Sequence, residues 1–149
     1  MTEVIMRRAR AGDVDEIVAM LADDPLGSGR ERPGDPRYAK AFEALDTDPG
    51  QLLAVAEVDG EVVGTLQVTF IPGLSRIGAT RAQIEAVRVR ADQRGAGLGR
   101  HMIEWAIAES RARGCVLVQL TSDASRTDAH RFYERLGFVR SHVGMKLTF

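Results

Sequence analysis

Between Val87 and Arg100 the chain passes from alternating apolar residues, through glycines at 95, 97 and 99, into helical spacing. A strand that runs into a glycine-rich turn and opens at once into a helix is a βα unit. Such a unit buries its apolar faces only within a sheet covered by helices. Arg81–Arg90 supplies the strand, alternating around Ile84, Val87 and Val89. Leu98–Arg113 supplies the helix, with Met102, Ile103, Ala106 and Ile107 on one face and Gly114 at its end.

The remaining segments supply the partners. Val4–Ala9 reads as an edge strand. Asp13 stands as N-cap of a helix over Asp13–Asp23, with Glu16 at the capping-box position and Ile17, Val18, Met20 and Leu21 behind it. Asp24–Asp35 is a loop, and Pro36 opens a second helix through Leu45. Gln51–Val58 and Glu61–Phe70 flank Asp59-Gly60, a dipeptide favoured in two-residue hairpin turns because both central residues need positive φ. Val116–Leu120 reads as a strand buried on both faces, and Thr127–Leu136 as a helix closed by Gly137. Phe138–Phe149 reads as one or two final strands. The order β-α-α-β-β-β-α-β-α-β predicts an α/β fold with a mixed sheet and helices on both faces, in one domain spanning residues 1–149.

Composition narrows the function classes. With 149 residues, 44% of them hydrophobic, the chain fills a genuine core. The single cysteine, Cys115, excludes a disulfide framework and any multi-cysteine metal site, so no metal is expected. No apolar run approaches the ~20 residues that span a bilayer. The opening residues lack the apolar stretch of a signal peptide, which predicts a cytoplasmic protein without a membrane partner. Net charge is -1, but its distribution is uneven. Ala11–Glu61 holds 13 acids against four bases, and Arg76–Arg100 holds six arginines against Glu85 and Asp92. A nucleic-acid binder is more often basic overall, so no nucleic-acid partner is expected. The compact basic stretch points instead to an anionic ligand at one place.

Glycines at alternate positions let backbone N–H groups approach a ligand, and the helix N-terminus adds about half a positive charge. Phosphate is the natural guest. A dinucleotide fingerprint would require a sixth-position glycine, where Arg100 stands, and a P-loop would require Lys followed by Ser or Thr. Neither pattern is met. Arg94-Gly95-Ala96-Gly97-Leu98-Gly99, following a strand, instead resembles the cofactor signature of the GNAT superfamily of N-acetyltransferases. Ala129-His-Arg-Phe-Tyr133-Glu-Arg-Leu-Gly137-Phe138 is similar to a second block of that family, in the same order. Locally, Asp128–Tyr133 with Ser141-His142 looks most like aminoalkylphosphonate N-acetyltransferases.

This resemblance implies a mostly antiparallel sheet of six or seven strands flanked by about four helices, and acetyl-CoA as co-substrate. Its pyrophosphate would lie on the backbone of Arg94, Gly95, Ala96, Gly97, Leu98, Gly99 and Arg100, and its pantetheine arm along main-chain groups of Val87 and Val89. Ser125 stands where many relatives carry a cofactor-contacting Asn. The acceptor would be a primary amine of a small molecule, with a protein acceptor or a non-catalytic CoA sensor as alternatives. Homodimers are common in the superfamily.

Acetyl transfer requires a neutral nucleophile, and an alkyl amine of pKa ~10.4 lies roughly 4.6 kcal/mol from deprotonation at pH 7. Glu85 is the candidate base: even spacing from Val87 and Val89 predicts one shared sheet face, where a carboxylate is unusual. The alternative is a surface Glu paired with Arg88. Tyr133 matches the family's acid position and would protonate the departing thiolate.

Overall fold

The computed structural model describes residues 2–149. Five strands form one sheet in the order β1-β2-β3-β4-β5: β1 Val4–Arg8, β2 Gln51–Val58, β3 Glu61–Pro72, β4 Thr80–Val89 and β5 Leu117–Leu120. The first four are mutually antiparallel, and β5 runs parallel to β4. The β2–β3 hairpin turns where its sequence predicts, with Asp59 at φ 51° and Gly60 at φ 80°.

Five helices accompany the sheet: α1 Val14–Ala22, α2 Arg37–Asp46, the one-turn α3 Ser75–Gly78, α4 Leu98–Ala112 and α5 Thr127–Arg135. Alternation along the strands sends one set of side chains to each face. Ala54, Ala56, Leu66, Val68, Ala82 and Ile84 meet Leu98, Met102, Ile103 and Ala106 of α4. On the other face Val55 and Val62 meet Ile17, Met20 and Phe42 of α1 and α2. Leu66, Ile84, Met102 and Ile103 are at most 2% exposed, and burying a side chain of this size contributes about 1.5–3 kcal/mol.

Three expectations are corrected. Among the described residues the sheet has five strands rather than six or seven, because no strand forms within 138–149, and five helices accompany it rather than about four, since the one-turn α3 lies in what reads as a connection. That segment keeps its period-two pattern, yet Val139, Val143, Met145, Leu147 and Phe149 are more than 80% exposed. An alternating pattern creates a face, but a strand needs a neighbour in register. Secondly, β5 is half-buried along its length rather than enclosed, since it ends the sheet. Thirdly, Asp13 does not cap α1. A 3-10 turn over Ala11–Asp13 precedes the helix, and the Asp13 carboxylate accepts two bonds from the Arg7 guanidinium, at 2.8 and 3.0 Å, and one from the Arg10 N–H.

Candidate active site

Strands β4 and β5 pair only from Arg81–Ile84 against Leu117–Leu120. Beyond that point β4 continues alone, and the two strands part. The separation coincides with an irregularity in the β3–β4 register between Thr65 and Gln67, and with Ala86 at φ 54°. A left-handed residue inserted into a ladder is a β-bulge, which bends the strand and re-aims the side chains after it. The Arg90 N–H donates to Val63 O at 2.8 Å, which places Val89, opposite Gly64, at a non-bonded position. The Val87 and Val89 carbonyls accept from side chains instead, Arg88 Nη1 at 3.0 Å and Arg94 Nε at 3.1 Å. A strand edge whose main-chain groups are not paired with another strand thus faces the gap.

The bulge overturns the predicted common face of Glu85, Val87 and Val89. Val87 and Val89 pack with the cluster around α4, together with Ile84. Glu85 lies opposite Gln67, and Arg88 lies opposite Thr65, so both turn to the face covered by α1 and α2. One extra residue interrupts the period of two. Glu85 is exposed and accepts from Gln83 Nε2, while Arg88 pairs with Asp24 at 2.7 Å, so the Glu85–Arg88 pair does not form. The Arg88 side chain is only 15% exposed; burial pushes the Asp24 carboxyl up, but the Gly27 N–H and then the Arg88 charge hold it below its ordinary value.

The glycine segment begins with a 3-10 turn over Ala91–Gln93 and enters α4 at Leu98. Gly95 and Gly97 adopt φ 86° and 83°, and a Cβ on either would meet nothing within 4 Å. These glycines serve conformation, leaving the surface above them open. No side chain caps α4, so its first N–H groups face outward. Gly99 serves packing: a Cβ there would sit 3.6 Å from the Phe132 ring and 4.0 Å from Val89. The start of α4, the free part of β4 and the middle of α5 therefore converge.

Tyr133 belongs to that convergence. Its ring lies 5.0 Å from Phe132 and 5.7 Å from Phe138, against the α4-side core. Burial pushes its hydroxyl above the ordinary phenol value, while the charges of Arg126 and Arg88 act the other way. The group stays protonated at neutral pH and is equipped to donate. Ser125 lies in the turn before α5, where its N–H and hydroxyl both bind Asp123 Oδ1, at 2.9 and 2.5 Å. Those bonds are the first cause of the lowered Asp123 carboxyl. His101 and His142 are exposed, and His130 meets the Asp123 carbonyl at 2.9 Å. No group of three or more metal-ligating side chains occurs among the described residues.

On the α1/α2 face a cleft of about 110 Å³ reaches the bulge, with Leu21, Phe42 and Leu45 as walls and Thr65, Gln67 and Ala86 on the sheet side. Gln67 is the cross-strand partner of Glu85, so the carboxylate belongs to the same side of the sheet as this cleft. Beyond Tyr38, a second cavity of about 320 Å³ is lined by Arg30, Arg32, Asp35 and Arg37. Arg30 pairs with Glu31 at 3.0 Å and Arg37 with Asp35 at 2.9 Å. Sequence reasoning missed Ala86 and Gln119. A single alanine signals no bulge, and Gln119 meets Gln83 and Arg81 only through strand pairing remote in sequence.

The sheet thus opens beside a glycine turn, with the Glu85 carboxylate on one face and the buried Tyr133 phenol packed on the other. Residues 14–138 match the Acetyltransferase (GNAT) family, and the chain belongs to it, a family whose members use acetyl-CoA. The chain is 30% identical over 140 residues to the aminoalkylphosphonate N-acetyltransferase of Salmonella typhimurium, covering 92% of this chain and 86% of that protein. A crystal structure described as a transcriptional regulator from Bacillus halodurans C-125 is 47% identical, with a TM-score of 0.95 over 99% of this chain and 100% of that one. A Trypanosoma brucei acetyltransferase superposes with a TM-score of 0.83 at 26% identity, over 99% and 100%.

Proposed function

We propose that this protein transfers an acetyl group from acetyl-CoA to the primary amine of a small molecule, by direct attack on the thioester. The observation that carries this is the opening between β4 and β5, flanked by Glu85 on one side and Tyr133 on the other. The residues present fit the donor. The loop from Arg94 to Arg100 offers unobstructed N–H groups to a pyrophosphate, and the Val87 and Val89 main-chain groups offer a strand edge to the pantetheine amides in place of the arginine side chains now on them. Ser125, held in its turn by bonds to Asp123, is the further donor contact in this reading.

Acetyl-CoA supplies an activated thioester. Glu85 takes a proton from the amine as its nitrogen attacks the carbonyl carbon, and Tyr133 gives a proton to the departing sulfur. A carboxylate in this role contributes roughly 10²–10⁴-fold. The acceptor enters through the cleft between α1, α2 and the bulge, whose walls are apolar. That lining favours an amine with an apolar body, whereas the Arg30–Arg37 cavity would hold an anionic group.

The test is release of free CoA thiol from acetyl-CoA across a panel of alkyl and aryl amines, aminoalkylphosphonates, amino acids and short peptides. A selective amine is expected, with turnover lost in Glu85→Gln and in Tyr133→Phe and acetyl-CoA affinity retained in both. The 47% identical regulator favours a second reading, a CoA-responsive regulatory module. Acetyl-CoA binding without turnover for any amine would support that instead.

A further inference from the structure

Outside the opening itself, four polar side chains form a continuous row across β4 and β5. Arg81 Nη1 donates to Gln119 Oε1 at 3.4 Å, Gln119 Nε2 donates to Gln83 Oε1 at 2.9 Å, and Gln83 Nε2 donates to Glu85 Oε1. The parallel register produces this row: Gln83 lies opposite Gln119, and Arg81 and Glu85 stand two residues to either side of Gln83, on the same face.

The ends of the row fix its direction. A glutamine amide presents an acceptor at one atom and donors at the other, and either orientation suits an isolated side chain. Here Arg81 can only donate, so Gln119 must turn its oxygen toward it and its nitrogen toward Gln83. A carboxylate only accepts, so Gln83 must turn its nitrogen toward Glu85. Both amides are determined by the two charged ends, and each bond polarises the next in the same sense.

We propose that Gln83 and Gln119 are positioning residues for Glu85. They relay the Arg81 charge through two aligned amides, hold one carboxylate oxygen in place and leave the other for the acceptor amine. The proposal rests on Glu85 acting as the base. Without the relay, an exposed glutamate samples several rotamers, and the productive one is populated less.

The discriminating variant is Gln119→Glu. It is nearly isosteric and keeps a partner for Arg81, so a purely structural tie between the strands would survive. A carboxylate at 119 has no donor, however. Gln83 would then stand between two carboxylates with one amide nitrogen to donate, so Glu85 loses its exclusive donor and the aligned row is broken. We expect Gln119→Glu and Gln83→Met each to lower kcat about tenfold, with acceptor KM, acetyl-CoA Kd and urea midpoint little changed, while Gln119→Asn partly restores kcat relative to Gln119→Glu. A kcat within twofold of the parent in Gln119→Glu, with Glu85→Gln inactive, would overturn the relay and leave the base assignment intact. Full turnover in Glu85→Gln would overturn both.

Discussion

Glu85 and Val87, two residues apart on one strand, point to opposite faces of the sheet because Ala86 between them takes φ 54°. The carboxylate thereby lies on the side of the sheet covered by α1 and α2, while the valine packs on the core beneath α4. The opening between β4 and β5 begins at the same place, so a single backbone irregularity separates the face that carries Glu85 from the strand edge at the opening.

A β-branched residue tolerates positive φ poorly. Ala86→Val is expected to destabilise the fold by roughly 1–2 kcal/mol and to reduce turnover as well, whereas Ala86→Gly retains both. Urea denaturation alongside initial rates measures the pair of effects. Parent-like stability and rate in Ala86→Val would show that the bulge is not needed.

Gly97 stands at φ 83° immediately before α4, with open space above it. Gly97→Glu places a carboxylate where a pyrophosphate would lie and also strains the turn. Acetyl-CoA affinity, measured by calorimetry, is expected to weaken at least tenfold while the circular dichroism spectrum is retained. Undiminished affinity would remove the loop from the binding site.

The Asp13 carboxyl lies below its ordinary value chiefly because the Arg7 guanidinium binds it. The native state therefore binds this proton less readily than the unfolded chain does. The pair's contribution, about 1–3 kcal/mol, is fully present above the ordinary aspartate value of roughly 3.9 and is lost as pH falls through the lower native one. Urea midpoints from pH 7 to pH 2 should show this acid loss in the parent. Asp13→Asn should begin less stable at pH 7 and vary less. Parallel curves would refute the assignment.

Gly64 sits beneath α4, where a Cβ would fall 2.6 Å from the Met102 sulfur and 3.3 Å from Ala56 Cβ. Met102 is fully buried, so its terminus has little room to retreat. Gly64→Ala is expected to cost about 1–3 kcal/mol. Pairing it with Met102→Ala should recover part of that loss, and strict additivity of the two would show that the contact is unimportant.

Much of this protein follows from local chemistry. The Asp59-Gly60 hairpin, the amphipathic α4 and the glycine turn are set by residues adjacent in the chain, where φ preference and periodicity act directly. Gly95 and Gly97 are placed by their own conformational freedom, and Tyr133 by its spacing from Gly137 within a recognisable block. The uneven charge shows the other side. The acidic first third and the arginines after it neutralise each other across the fold, as Asp24–Arg88, Asp23–Arg94 and Glu61–Arg90. Such pairs join positions far apart in sequence, and no local pattern announces them. The face of Glu85, the alignment of Gln83 with Gln119 and the unpaired course of residues 138–149 likewise depend on strand register. Register is a relation between segments: shifting it by one residue exchanges the faces of a whole strand without altering its sequence. The sequence by itself determined most of the elements, the glycine turn and the place of Tyr133; the tertiary structure alone decided which side chains meet there.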